Sequence, residues 1–376
     1  MSTGAVNYEE IPENTRRGTT PISVSQPQGP AFQIKDGEIS WQNWHFRFRI
    51  DQRVGPVLNL VQFEDGGRLR PILYEASLSE LYVPYMDPGN GWNNHVFIDA
   101  GEFFSGVGLL QPLRGGLDCP ANAAYFDALP ASGHGAPHFL SQMVCPFERT
   151  ASDPAWRHYE GHEVYGRPSR ELVLRSAAAI GNYDYLMDWR FSRTERFYGG
   201  PPGRTKPAIG PMRKSIWVVK PSIATCERDA MLDIHLERPT MWLFINPNVR
   251  GPLGYPTGYE IMPGATATSL MSSDDLPQKL GGFSEHQFWV TPYSANERYA
   301  AGLYPTSSKA TDGLPFWTKA NRPIENTDIV GWYTLGFHHM PRVEDWPVMP
   351  TMWHEFQIRP FNFFSSNPAL DLPKSP

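Results

Sequence analysis

Short runs in which apolar and polar residues alternate are the feature that most limits the fold of this chain. Residues 44–50 alternate over seven positions, as a half-buried strand does. Turn signals separate such runs, for example Asp36-Gly37 between two apolar segments. No stretch shows a long helical period, and 37 prolines and 33 glycines favour short strands joined by turns. The chain is therefore predicted to be all-β, as a large antiparallel β-sandwich.

Further apolar runs extend this pattern along the chain, and one segment interrupts it. The runs predicted as strands include residues 58–63 with 69–74 as a second hairpin, and 172–174, 288–290, 329–335 and 352–358. Residues 191–221 instead combine proline, glycine and basic side chains, a composition typical of a solvated loop. Residues 1–30 are polar and are predicted to form an arm, followed by one domain over residues 31–376.

Charge and hydropathy exclude several classes of partner. The net charge is −6 and no basic domain is present, so nucleic acid is not expected as a partner. No apolar run approaches the roughly 18 residues that a membrane span needs. The first ten residues are polar and contain no signal-peptide core. A cytoplasmic location without membrane attachment is therefore the expectation.

Two motifs carry the chemistry. In the first, Tyr183 lies between Asn182 and Asp184, shortly after an apolar run. Considered by itself, this motif is more typical of the end of a strand followed by a turn, because Gly, Asn and Asp favour turns. In the second, His338 and His339 follow the apolar run at 329–335 and precede the acidic pair Glu344-Asp345, which is expected to form a solvated turn before a strand.

Together the two motifs resemble those of the copper amine oxidases. In that family the tyrosine of an Asn-Tyr-Asp/Glu motif is oxidised to the quinone cofactor topaquinone, and the histidine of the second motif is a copper ligand. The resemblance covers residues 31–373 and implies an incomplete catalytic β-sandwich. It implies Tyr183 as the precursor of topaquinone, Asn182 as the residue that positions its ring, and His339 as a copper ligand.

The same resemblance assigns a catalytic base and a second tyrosine. Asp99 lies in a motif similar to the family's Tyr-Phe-Asp-x-Gly-Glu-Tyr, which implies that it removes the α-proton of the substrate. Its apolar neighbours, Phe97 and Phe103 among them, should desolvate the carboxylate and raise its pKa. Residues 99–101 could otherwise be a simple turn. Tyr85 matches a tyrosine that hydrogen-bonds the quinone oxygen, or is a half-buried tyrosine at a strand end.

The metal site implied by the resemblance is incomplete. Three histidines bind copper in the family, and two of them form a His-x-His pair, which places both imidazoles on one face of a strand. This chain contains no His-x-His, and the pair would belong near the aberrant segment 191–221. The family usually has Ser or Thr three residues before the Asn of the tyrosine motif, and this chain has Ala179 there. His235 is the nearest isolated histidine that could substitute.

Two functions therefore remain open. The resemblance implies a copper- and topaquinone-dependent oxidase that converts a primary amine and O2 to an aldehyde, ammonia and hydrogen peroxide, acting as a homodimer. The missing ligands favour an inactive, truncated relative with a structural or dimerisation role. The three cysteines are too few for a disulfide scaffold, so reduced thiols are one expectation. The resemblance instead implies a disulfide between Cys119 and Cys145.

Overall fold

Antiparallel β-strands dominate the computed structural model, which describes residues 18–20, 23–89, 91–181, 183–192, 206–207, 215–216, 222–235, 240–306 and 311–372. The strands are β1 Gln33–Lys35, β2 Glu38–Trp41, β3 Trp44–Asp51, β4 Gly55–Asp65, β5 Arg68–Ser77, β6 Tyr82–Pro84, β7 Val96–Ile98, β8 Phe126–Ala128, β9 Leu140–Glu160, β10 Glu163–Ile180, β11 Tyr183–Ser192, β12 Lys206–Pro207, β13 Ser215–Ile216, β14 Trp242–Arg250, β15 Pro256–Met262, β16 Phe288–Pro292, β17 Ile329–Tyr333 and β18 Gln357–Phe361. The α-helices are short: α1 Asp99–Phe103, α2 Leu276–Leu280 and α3 Leu314–Trp317.

Two sheets form the N-terminal half of the described chain. One has the order β1-β2-β3-β4-β5 and the other β11-β10-β9-β8. Both hairpins expected from the turn signals are present, because β1 pairs with β2 across Asp36-Gly37 and β4 pairs with β5. A core of buried side chains, including Trp41, Phe46 and Leu172, joins the two sheets. The prediction of a mainly antiparallel β-fold is confirmed.

A second core lies in the C-terminal half. Strands β14, β15 and β18 form a three-stranded sheet, and β16 pairs with β17. Trp242 stacks on Phe288 with ring centroids 4.8 Å apart, which joins the two sheets through a flat aromatic contact. A buried network fixes the adjoining loops, since Arg322 donates to both Glu227 and Glu297. No described helix is long and apolar enough to cross a membrane.

Three expectations from the sequence need correction. The strand predicted at 352–358 begins only at Gln357, and the one predicted at 329–335 ends at Tyr333. Residues 191–221 are not a loop throughout, because β11 continues to Ser192 and the short strands β12 and β13 pair with each other. The apolar residues before Gln357 have no strand partner among the described residues, so apolarity alone misplaced this boundary.

The N-terminal arm is described only in part, since residues 1–17 and 21–22 lie outside the described ranges. The chain around the end of the arm is tied to β9, in the β11-β10-β9-β8 sheet. Gln26 Nε2 and the Ala31 amide both donate to Glu148 at 2.7 Å. The division into an arm and a single domain over 31–376 stays a prediction.

Cys119 and Cys145 form a disulfide, as the resemblance implied. Both cysteines are buried in a small apolar cluster with Leu113, Phe147 and Val173. The bond joins a loop to β9, the strand beside the β10–β11 hairpin, in which Tyr183 follows the turn.

Replacing both cysteines, Cys119→Ala with Cys145→Ala, should lower the free energy of unfolding by about 3 kcal/mol. The bond closes a loop with a sequence separation of 26, and its loss gives the unfolded chain more conformational entropy. Urea denaturation monitored by tryptophan fluorescence measures this change. Cys226→Ala, at a cysteine outside the disulfide, is the control. Equal midpoints for the wild type and the double variant would contradict the prediction.

Candidate active site

Tyr183 is the first residue of β11 and follows a tight turn. Gly181 has a φ of +63°, a conformation that glycine adopts without steric cost, and Ile180 pairs with Tyr183 across the turn. Along β11 alternate side chains share a face. Tyr183 and Tyr185 are both partly buried, whereas Asp184 between them is exposed. Asn182 lies outside the described residues, so its predicted role as the residue that positions the ring stays a prediction.

His339 lies directly beside Tyr183. The Tyr183 hydroxyl is 3.3 Å from Nδ1 of His339, across 156 positions of sequence. The second imidazole nitrogen, Nε2, is 3.1 Å from Oδ2 of Asp345. His338 points elsewhere, with its Nε2 3.0 Å from the Thr268 carbonyl oxygen. The structure therefore brings Tyr183 and His339 together, as predicted from the sequence, and separates the two adjacent histidines.

Asp345 was expected to lie in a solvated turn before a strand, and this interpretation was wrong for its side chain. The carboxylate is only 9% exposed, and it accepts hydrogen bonds from the Arg342 amide and from His339. These contacts hold the pKa of Asp345 below its usual range, the Arg342 amide first. A carboxylate on one ring nitrogen orients an imidazole and fixes its tautomer. Nδ1, which faces Tyr183, is thereby left as the nitrogen available to a metal ion.

Tyr85 follows β6 and lies near Tyr183 and Asp99. Burial raises its pKa to about 12, followed by the effects of Tyr183, to which it hydrogen-bonds, and of Asp99. Aromatic rings surround it, with Trp92 at 5.0 Å and Phe97 at 5.9 Å between centroids. Its predicted place beside the cofactor tyrosine thus agrees with the geometry, and it is also partly buried at a strand end.

Asp99 is the first residue of α1, so the alternative of a simple turn at this position was wrong. The residue is 2% exposed, and its Oδ1 is buried without a hydrogen-bond partner among the described residues. Burial raises the pKa of this carboxyl to about 7, and the nearby charges of Glu80 and Glu102 contribute in the same direction. The expected increase in pKa is therefore confirmed. A carboxyl with a pKa near neutrality suits a general base at physiological pH.

Sequence reasoning missed two further parts of this site. Tyr185 lies on the same face as Tyr183, and its pKa is raised by burial and then by Asp99. Period-two alternation from Tyr183 could have identified it. Glu80 lies under α1, and no local pattern indicates this contact because it is 20 positions from its partner Ala100.

Comparisons with known proteins agree with this geometry. The family model described as "Copper amine oxidase, enzyme domain" matches residues 33–197 and 201–376. Amine oxidase [copper-containing] gamma 2 of Arabidopsis thaliana is 36% identical over 430 residues, covering 94% of this chain and 62% of the relative. The primary amine oxidase of Lens culinaris is 33% identical, covering 93% and 62%. The crystal structure of a copper-containing benzylamine oxidase from Hansenula polymorpha superposes with a TM-score of 0.87 at 26% identity, covering 98% of this chain and 66% of that one.

The fold thus has the architecture of an amine oxidase enzyme domain. The chain belongs to the copper amine oxidase family, because the family model matches nearly its whole length. It spans about three fifths of the curated relatives it matches. The alignment with gamma 2 is longer than the 376 residues of this chain, so the relative contains residues without a counterpart here. The family match is interrupted at residues 198–200.

The cofactors of this family are copper and topaquinone, and the described residues fit them unequally. Tyr183, placed between His339 and the Tyr85–Asp99 cluster, fits the position of a quinone precursor. Copper fits less well. His339 supplies one imidazole beside Tyr183, but no group of three His, Cys, Asp or Glu side chains among the described residues could hold a metal ion. All eleven histidines, including the exposed His235, lie within the described ranges.

Proposed function

We propose that this chain catalyses the oxidative deamination of small primary amines. The reaction consumes the amine, water and O2, and releases an aldehyde, ammonia and hydrogen peroxide. The observation that carries the proposal is the buried carboxyl of Asp99, whose Oδ1 has no hydrogen-bond partner in the described part of the chain, beside the cluster of Tyr85, Tyr183 and Tyr185. An unpaired carboxyl with a raised pKa in a cluster of phenols is characteristic of a catalytic site.

Each residue has a distinct role in this proposal. Tyr183 is the precursor of topaquinone, which when formed supplies the electron sink for amine oxidation. Tyr85 donates a hydrogen bond toward the ring at position 183, and Asn182 holds that ring from its neighbouring position. Asp99 accepts the proton from the carbon that carries the amino group, for which it must be ionised. His339, oriented by Asp345, is one copper ligand, and no step is assigned to the metal because the described residues contain no group that could complete its ligand set. The homodimer and the cytoplasmic location remain predictions.

A second candidate function rests on a different observation. The described residues contain no group of three metal-binding side chains, and the family match is interrupted next to the segment in which the His-x-His pair would belong. A chain without copper could not oxidise Tyr183, because phenol oxidation to a quinone needs a redox metal and O2. Such a chain would keep the fold and have a structural or dimerisation role only.

One experiment separates the two candidates. The protein is expressed with copper and air, and its metal content and its response to a redox-cycling quinone stain are measured on the same sample. About one copper per chain with a positive stain supports the oxidase, and His235→Ala then tests whether that histidine completes the site. Absence of both copper and stain overturns the oxidase proposal for this polypeptide.

A further inference from the structure

Glu80 lies beneath the helix that carries the proposed base. It is found between β5 and β6, and its side chain is fully buried. Its Oε1 accepts hydrogen bonds from the amides of Ala100 at 2.9 Å and Gly101 at 3.1 Å, which belong to the first turn of α1. The carboxylate therefore holds the turn that begins with Asp99.

The other oxygen of Glu80 is held by an arginine. Arg53 Nη2 donates to Oε2 at 3.0 Å, and the same guanidinium donates to the carbonyls of Leu303 and Gly302. It also lies over the ring of Tyr299, 3.9 Å from the centroid. Glu80 thus accepts charge-assisted and backbone hydrogen bonds and donates none, which is the pattern of an ionised carboxylate.

The contact between this pair and α1 is close. A Cβ atom at Gly101 would lie 2.7 Å from Nη2 of Arg53 and 3.1 Å from Oε2 of Glu80. The Cβ atom would lie still closer to Cγ of Pro305, so any side chain at this position would force Pro305 and the ion pair away from the turn. Because Gly101 has no side chain, the buried Arg53–Glu80 ion pair can lie against the first turn of α1, which begins with Asp99.

We propose that Glu80 is a positioning residue for Asp99. It fixes the first turn of α1, and its negative charge lies close to the carboxyl that takes up and releases the proton. This inference rests on the proposed role of Asp99 as the base. Other groups also act on Asp99: Glu102 on α1 itself, and the phenols of Tyr85 and Tyr185 from the neighbouring segments. Glu80 is distinguished from them because it contacts the backbone of the turn and is the largest charge effect on the Asp99 pKa.

Glu80→Gln removes the charge and keeps an oxygen that can accept the two amide hydrogen bonds. The expected result is a titration midpoint of Asp99 about one pH unit lower than in the wild type, because a like charge nearby disfavours ionisation. The midpoint is measured by infrared spectroscopy, as the protonated-carboxyl signal that is present in the wild type, absent in Asp99→Asn, and therefore isolated in the difference between the two spectra. This measurement needs no copper, quinone or turnover. Glu102→Gln is the matched control and should shift the midpoint by less.

A second variant avoids an unpaired buried arginine. In the double variant Glu80→Gln with Arg53→Gln, the two glutamine side chains can hydrogen-bond each other. The titration midpoint of Asp99 should again be lower than in the wild type. An unchanged midpoint in either folded variant, or loss of the fold in both, would leave Glu80 with a structural role only and overturn the inference. Failure of the proposed function would be seen separately, because the wild type would then contain no quinone and would not turn over an amine. The titration midpoint of Asp99 could still respond to Glu80→Gln in that case.

Discussion

Replacing Asp99 with asparagine is expected to lower kcat/KM for a primary amine by about 100- to 10,000-fold, the usual contribution of a general base. The amide cannot accept the proton, yet it has the same size and fits the same buried position. The quinone stain should remain positive, because Asp99 is not required to form the cofactor. Stopped-flow or steady-state assays with the copper-loaded protein measure the rate. Asp274→Asn, at an exposed carboxylate, is the control. A variant with wild-type kcat/KM would exclude Asp99 as the base.

The raised pKa of Asp99 predicts opposite pH effects on rate and on stability. In the wild type, kcat/KM should rise as the pH approaches about 7, because the base must be ionised. Stability changes in the other direction, since the pKa in the folded state lies above the ordinary value of 3.8. The stabilising contribution is complete below that value and is lost as the pH rises through about 7. Above pH 7, Asp99→Asn should therefore be more stable than the wild type by about 2–4 kcal/mol, because one pKa unit corresponds to about 1.4 kcal/mol and the neutral amide carries no charge to be desolvated.

Tyr183→Phe should abolish the quinone stain and reduce amine oxidation to background. Phenylalanine lacks the hydroxyl that lies 3.3 Å from His339 Nδ1 and has no phenolic oxygen from which a quinone can form. The matched control is Tyr185→Phe, two residues along the same strand face, which should keep the stain. The stain and the peroxide yield are measured on protein prepared with copper and air. A stained Tyr183→Phe variant would show that another residue gives rise to the quinone.

The sequence predicts the parts of this molecule that depend on local patterns. Alternation located β3 and the β4–β5 hairpin, because a pleated strand with one buried face imposes a period of two. The motif around Tyr183 and the paired histidines located two residues that meet in space. The increase in the Asp99 pKa followed from its apolar neighbours in the sequence.

Other parts depend on contacts between distant segments. Asp345 contacts His339 because residues 343–345 form a short 3-10 turn that folds the carboxylate back, and an acidic pair in a sequence does not specify that geometry. Glu80 reaches α1 from a segment between two strands, and its partner Arg53 lies 27 positions away. The strand boundary at Gln357 is likewise fixed by the pairing with β15. Such relations follow from the packed sheets.

The disulfide described above has a consequence for how the protein is produced. Cys119 is 2% exposed and Cys145 is fully buried, so a thiol reagent reaches the sulfur atoms only when the surrounding cluster opens. The bond therefore has to be made while the chain is still folding, and the oxidising conditions at that moment decide whether it is present. Reductant added later to the folded protein should leave it intact. Preparations from reducing and oxidising hosts would then differ permanently, although their sequences are identical.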